Sequence, residues 1–346
     1  MSLPTPRWWY ERHPRGGTVL RALLRPAGAI WAGVTARRIA RTTPLDPGLT
    51  VICVGNVTLG GTGKTPIVRE LLRLLAEAGV PAAGLSRGHG GALAGPLRVD
   101  PARHTAAEVG DEPIMLAQDQ AIWVARDRAA GALAAREAGF AALVMDDGHQ
   151  NPSLEKALSL VVVDGETRDG EWPFGDGAVF PAGPMREPLA AGLARADAVI
   201  LLLPADLAQP DPELLALLAA RPVLIARLEP AGPPPAGRQL GFAGVGKPWK
   251  VERALTAAGC DLADFIPLPD HGAYSPSLMS FLRRRAAELN AGLVTTEKDW
   301  ARMAPQDREG VAAWPVRARF EDEAAVRGML EVKQGSLGEG APLQNP

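Results

Sequence analysis

Thr50-Val51-Ile52-Cys53-Val54-Gly55-Asn56-Val57-Thr58-Leu59-Gly60-Gly61-Thr62-Gly63-Lys64-Thr65 decides the fold. Its first five residues form an apolar, β-branched run of the kind that fills a strand buried on both faces of a parallel sheet. From Pro66 to Ala78, the residues Ile67, Leu71, Leu74, Leu75 and Ala78 fall on one helical face, and Gly79 supplies a stop. Strand, glycine loop and helix in that order aim backbone N–H groups and a helix N-terminus at an anion. The expected cradle is Thr58, Gly60, Gly61, Thr62, Gly63, Lys64 and Thr65. In it Lys64 would reach the β- and γ-phosphates of a nucleoside triphosphate, and the Thr65 hydroxyl would ligate Mg²⁺. Pro66 fits a first turn, where an N–H has no intrahelical partner to lose. The strict pattern has glycine where Thr58 stands.

Working outward, 346 residues suffice for a large core and about two domains. Hydrophobic content of 47% with 22% charged residues is that of a soluble globular protein, and a net charge of −2 gives no bias toward nucleic acid. Cys53 and Cys260 belong to no metal or redox spacing, so a reducing compartment is expected, and the N-terminus lacks a secretory signal. The charge is unevenly spread. The first 41 residues hold eight arginines against one acid, Glu11, with Trp8, Trp9, Tyr10 and Trp31 and an apolar set at Val19, Leu20, Leu23, Leu24, Ile30 and Val34. The longest uncharged run there, Pro26 to Ala36, is far shorter than the roughly 20 residues that span a bilayer. A helix lying in a membrane interface, arginines toward anionic headgroups, is the expectation, with Pro26 and Gly28 breaking it in two. An amphipathic helix packed on the domain is the alternative.

Strand and helix signals then alternate, which predicts an α/β fold: a P-loop NTPase-like, mostly parallel sheet with covering helices, a second smaller α/β unit and the N-terminal interface helix. The divisions expected are 1–44 for the basic membrane-associating segment, 45–228 for the core, 229–332 for the smaller unit and 333–346 for a disordered tail. The run Glu229 to Gly237, rich in proline, marks the boundary between core and smaller unit.

Ala141-Ala142-Leu143-Val144-Met145-Asp146-Asp147-Gly148 is an apolar strand ending in acids, the form a second Mg²⁺-supporting element takes, and either Asp146 or Asp147 could face the metal. Leu160 to Val163 ends in Asp164 in the same way, and acids also end strands simply as turn formers. In Gly110-Asp111-Glu112-Pro113, Asp111 reads either as a helix N-cap or as a general base for an acceptor hydroxyl. His271, in Asp270-His271-Gly272, could relay that proton, and Asp270 could cap the following helix. Arg126 and Arg128 fall at the start of a helix, where an arginine could neutralise phosphoryl charge, and the rigid turn Pro181 to Pro188 presents Arg186. Thr295-Thr296-Glu297-Lys298-Asp299 ends a strand and lacks the lysine two places before aspartate that a guanine-selecting loop carries.

Collinear with these stretches run Ser86-Arg87-Gly88 and Pro181-Ala182-Gly183-Pro184, and together, from Trp8-Trp9-Tyr10 to about Phe320, the set resembles the tetraacyldisaccharide 4′-kinase family, the lipid A 4′-kinases. The threonine at Thr58 is normal for that family. The resemblance implies transfer of the γ-phosphoryl of ATP, with Mg²⁺, to the 4′-hydroxyl of a tetraacylated glucosamine disaccharide 1-phosphate. It implies a partner surface at the cytoplasmic face of the inner membrane, an acylated lipid substrate, no nucleic acid and no obligate protein partner. Carried over by position, Lys64 and Thr65 bind phosphates and Mg²⁺, Asp146 and Asp147 support the metal, Asp111 paired with His271 takes the hydroxyl proton, and Arg128 and Arg186 match family arginines. His89, His149 and Gly272 depart from the pattern, standing where a tyrosine, an apolar residue and a second histidine are usual. Two other classes stay compatible with the residues alone: a membrane-recruited P-loop NTPase switch acting on a protein partner, and a soluble small-molecule kinase.

Overall fold

The structure, a computed structural model, describes residues 7–12, 18–270 and 272–335. Thirteen strands follow in chain order among them: β1 Thr50–Gly55, β2 Ala82–Ser86, β3 Leu97–Arg98, β4 Ile122–Val124, β5 Ala142–Asp146, β6 Leu158–Asp164, β7 Ala198–Pro204, β8 Val223–Pro230, β9 Gln239–Ala243, β10 Leu262–Pro267, β11 Gly292–Thr296, β12 Val311–Trp314 and β13 Val316–Phe320. Nine form one sheet in the order β13-β8-β7-β6-β1-β5-β2-β4-β3. Its seven inner strands are parallel, and β13 and β3 close the two edges antiparallel. Four more make a wholly parallel second sheet, β10-β9-β11-β12.

The apolar runs explain this layering. Along β1, Ile52 and Val54 enter one core cluster with Ile67, Val68, Leu71 and Leu75 of the helix Lys64–Glu77, while Val51 and Cys53 enter the cluster on the opposite face. Along β7, Ile200 and Leu202 take the first face, and Val199, Leu201 and Leu203 the second. A period of two with both faces covered is what a helix-flanked parallel strand requires. Because the chain leaves β1 toward β5 and β2 on one side and meets β6 and β7 on the other, the crevice beyond the C-terminal end of β1 lies where the strand order reverses, the place such sheets bind ligands.

Three expectations about boundaries meet a different outcome. Residues 229–332 do not all join the smaller unit: β13 pairs with β8 and the helix Glu323–Gly335 packs on the large sheet, so the small sheet is an excursion between β8 and β13. No periodicity in 316–335 distinguishes a strand that returns from one that stays. That helix also carries regular structure to Gly335, and 336–346 lie outside the described residues. Pro26 does not break the N-terminal segment either: α1 runs unbroken from Thr18 to Arg41. Packing on both sides of the proline outweighs the one lost N–H. Arg21 is buried against Asp176, a Cβ on Gly28 would stand 2.7 Å from the Val179 carbonyl oxygen, and Trp31 packs edge-on to Phe180 at 5.1 Å.

Candidate active site

The glycine loop leaves β1 and turns into its helix through Gly60 and Gly63, both at positive φ (86° and 79°). Positive φ is what calls for glycine at both positions; a Cβ on Gly63 would also have to displace the Leu202 side chain of β7, and one on Gly60 would sit 3.0 Å from the Tyr10 hydroxyl oxygen. Tyr10 also donates its hydroxyl to the Leu59 carbonyl at 2.6 Å, which ties the N-terminal aromatic cluster to the loop; burial pushes its phenol up to about 12.

Lys64, at the start of the helix, lies 3.3 Å from Asp147 Oδ1. Arg186 reaches the same carboxylate at 2.8 and 2.9 Å and donates from Nε to the Thr58 carbonyl at 2.8 Å. Although burial pushes the Asp147 carboxyl up, Lys64 and Arg186 overcome this and hold it well below the usual carboxylate range. Asp147 sits at positive φ (52°), which turns it away from the strand line that Asp146 continues. Asp146 is 2% exposed, and its Oδ1 has no hydrogen-bond partner among the described residues. Burial, with Glu112 nearby, pushes it up to about 7. Arg128 is buried at the start of the helix Arg128–Glu137, capped by Asp127, and its guanidinium holds the main chain, donating to the Ala125 and Asp146 carbonyls at 3.1 Å each. Desolvation draws it down to about 10.

Asp111 opens the short helix Asp111–Leu116, whose N-cap position is taken by Gly110, so its carboxylate is not the cap. Ser275, not Asp270, caps the helix Pro276–Glu288, and Asp270 instead faces the loop beside Gly246, which itself approaches the Gly61 amide. The residues expected from sequence at Thr58–Thr65, Asp111, Arg128, Asp146, Asp147 and Arg186 converge on one cleft of about 1280 Å³, which also admits Arg87 and His89, with only Thr58 behind its wall. His271 lies outside the described residues. Asp164, the look-alike of Asp146, is spent on a different contact: it pairs with Lys247 at 3.0 Å and Lys250 at 2.7 Å, across from β6 to the helix Pro248–Ala257. His149 is buried, its ring between the Ser159 hydroxyl at 3.2 Å and the Gly192 carbonyl at 2.9 Å, and burial draws it down to about 4, so it packs rather than reacts. Tyr10, Lys247, Glu112 and Arg302 were not singled out as site residues. Of these, Glu112 lies within Gly110-Asp111-Glu112-Pro113 and Tyr10 within Trp8-Trp9-Tyr10, while Lys247 and Arg302 stand in no motif.

Strand, glycine loop, helix and an acid-tipped neighbouring strand define a P-loop protein of the α/β class. The chain belongs to the tetraacyldisaccharide-1-P 4′-kinase family, whose model matches residues 20–334. It is 67% identical over 326 residues to a protein named tetraacyldisaccharide 4′-kinase from Phenylobacterium zucineum, covering 94% of this chain and 98% of that one. Against the protein of that name from Caulobacter vibrioides it is 66% identical over 331 residues, covering 96% and 99%. The solved structure of LpxK from Aquifex aeolicus in complex with ATP superposes with a TM-score of 0.72 at 23% identity, covering 91% of this chain and 99% of that one, a likeness of fold.

Proposed function

We propose that this chain transfers the γ-phosphoryl group of ATP to the 4′-hydroxyl of a tetraacyl glucosamine disaccharide 1-phosphate, working at the cytoplasmic face of the inner membrane. The observation that carries the reading is the cluster Lys64–Asp147–Arg186 at the mouth of the glycine loop, in one cleft with Asp111 and Asp146, in a chain of this family. The loop amides and Lys64 bind the β- and γ-phosphates and draw off charge as the terminal phosphoryl leaves. Arg186, anchored on the Thr58 carbonyl, lines the path of the transferred group. Asp111 accepts the proton as the 4′-oxygen bonds to phosphorus and the bond to the β,γ-bridging oxygen breaks, giving ADP and the 4′-phosphate. The family resemblance adds His271 as its partner.

The residues present fit Mg²⁺. A buried carboxylate oxygen of Asp146 without a hydrogen-bond partner among the described residues offers a ligand to a cation, and Thr65 and Asp147 stand with it along the cleft. Bound with the triphosphate, Mg²⁺ would offset charge on the β- and γ-oxygens.

The outer face of α1 supports the membrane assignment. No helix among the described residues is long and apolar enough to cross a bilayer. Yet Val19, Leu23, Ile30 and Val34 are each more than 60% exposed, among the arginines of the same helix, the arrangement of a helix lying in an interface. The test is purified protein with γ-labelled ATP and the tetraacyl disaccharide 1-phosphate in mixed micelles. Label on the lipid is expected; ATP hydrolysis unaffected by the lipid, with no labelled lipid, would replace this reading with a nucleotide switch.

A further inference from the structure

The motif Thr295-Thr296-Glu297-Lys298-Asp299 lies on the small sheet, outside the glycine loop and its acids, and its side chains lead back to the cleft. Thr296 caps the helix Glu297–Arg302, accepting from the Asp299 amide at 3.1 Å. Asp299 is completely buried and accepts from the Thr296 hydroxyl and the Tyr274 hydroxyl, each at 2.7 Å, from the Gly244 amide at 3.1 Å, and from Arg302. The Arg302 side chain is 6% exposed. One amino group bonds Asp299 and the Gly244 carbonyl, the latter at 2.8 Å, and its guanidinium carbon stands 5.5 Å from the centre of the Tyr274 ring. Its other amino group, Nη1, makes no hydrogen bond among the described residues and points at Asp111, 3.6 Å from Oδ2. The same helix meets the large-sheet unit twice more, through Glu297 with Arg69 at 2.9 Å and Lys298 with Glu112 at 3.2 Å.

We infer that Arg302 is a positioning residue for the phosphoryl transfer: clamped through one amino group by Asp299 and Gly244, with its plane beside the Tyr274 ring, it presents the other amino group to Asp111 and fixes that carboxylate at the cleft. The inference rests on Asp111 being the group that takes the acceptor's proton. A guanidinium is rigid and planar, so holding one amino group and packing the plane beside the Tyr274 ring sets the direction of the other amino group, which a lysine ammonium cannot reproduce. Asp111 needs such help because its helix, Asp111–Leu116, is six residues long and follows a glycine at φ 95°, too short to be rigid alone. The geometry matters because a reacting group displaced by about 1 Å can cost on the order of 100-fold in rate.

The experiment is a double-mutant cycle on the full chain, read as kcat and as KM for each substrate. Arg302→Lys keeps a cation beside Asp299, so the buried carboxylate is not stranded. The expected result is a kcat about tenfold lower with both KM values within about threefold, the pattern of a group acting in the transition state. In an Asp111→Asn background, already slow, the same substitution should change kcat by less than about twofold, because Arg302 acts through the carboxylate that has gone. Equal losses in both backgrounds overturn the inference while leaving Asp111 in its role. An Asp111→Asn enzyme with near-normal kcat overturns the assignment of Asp111 itself, and this inference with it. Should Arg302→Lys lower the melting midpoint too far to assay, Tyr274→Phe removes one bond from the clamp. Its smaller kcat loss must likewise vanish in the Asp111→Asn background, and an undiminished loss there overturns the inference.

Discussion

Replacing Asp164 by asparagine should destabilise the protein by about 3–5 kcal/mol, and the reason is countable. The side chain is only 13% exposed and both its oxygens are engaged, at 2.7 Å with Lys250 and 3.0 Å with Lys247, whose own side chains are 26% and 16% exposed. Lys247 keeps a second acid, Glu171 at 2.9 Å, so the substitution strands chiefly Lys250, whose carboxylate partner among the described residues is Asp164. Leaving a half-buried ammonium without its counter-ion is what costs the protein, whereas replacing a whole pair by apolar groups is often nearly neutral. Asp164→Asn with Lys250→Met should therefore recover at least half of the loss. The assay is urea unfolding at pH 7 on the single and double variants. Acid adds a second arm. Although burial pushes the Asp164 carboxyl up, Lys250 and Lys247 hold it well below its ordinary value. The native state thus binds its proton more weakly than the unfolded chain; the pair's contribution is complete above about pH 4 and is lost as pH falls below that. Wild type should then lose stability from pH 5 to 3 more steeply than Asp164→Asn. A loss under 1 kcal/mol at pH 7, or no recovery by Lys250→Met, would refute the reasoning.

Lys64→Ala should lower kcat by about 10²–10³ with little change in the melting midpoint, through lost stabilisation of the transferring phosphoryl; near-normal transfer would remove the loop assignment. Tyr10→Phe removes a single hydroxyl bond to the Leu59 carbonyl, worth about 1 kcal/mol, so KM for ATP should rise about fivefold while KM for the lipid stays put. An unchanged KM for ATP would show that the loop holds its shape unaided. Leu23→Ser with Ile30→Ser, both on the exposed face of α1, should weaken sedimentation with anionic vesicles at least tenfold and leave the fold intact. Undiminished sedimentation would assign that face another use.

The large sheet could be read from the sequence because its strands are nearly continuous apolar runs punctuated by Gly and Pro, and the glycine loop because its spacing is a local property of the chain. What lies between the units was not legible. Asp146 and Asp164 end their strands identically, and only the lysines that approach from the helix Pro248–Ala257, some 80 residues further on, tell them apart. The same holds for Arg302, whose bond to Asp299 is an ordinary i,i+3 contact on a helix but whose reach to Asp111 spans 191 positions of sequence. Pro26 departs from its local propensity for a related reason. Local propensity ends a helix there, but Asp176, Val179 and Phe180, which hold the two halves in line, belong to a distant loop.

Adjacent acids of identical chemistry occupy opposite electrostatic settings here, and that yields a test in which stability and binding move in opposite directions. Asp147 is half-exposed and bonded to two cations, so its ionised form is the favoured one. Asp146 is buried, with an oxygen lacking a hydrogen-bond partner among the described residues, and burial with Glu112 nearby pushes it up to about 7. A carboxyl with a raised native value contributes stability at low pH that is lost as pH rises from about 4 to about 7. At pH 8 the free protein therefore carries the cost of an ionised, poorly solvated acid. Asp146→Asn should raise its stability at pH 8 by on the order of 2 kcal/mol, with the gain fading by pH 5. The same substitution should weaken MgATP binding, measured by calorimetry, because the uncompensated charge is what a cation repays. Asp147→Asn should instead cost stability at pH 8, by freeing Lys64 and Arg186 from their shared anion. If Asp146→Asn lowers stability at pH 8, or leaves MgATP affinity untouched, the buried acid is a packing feature and the metal rests on other groups.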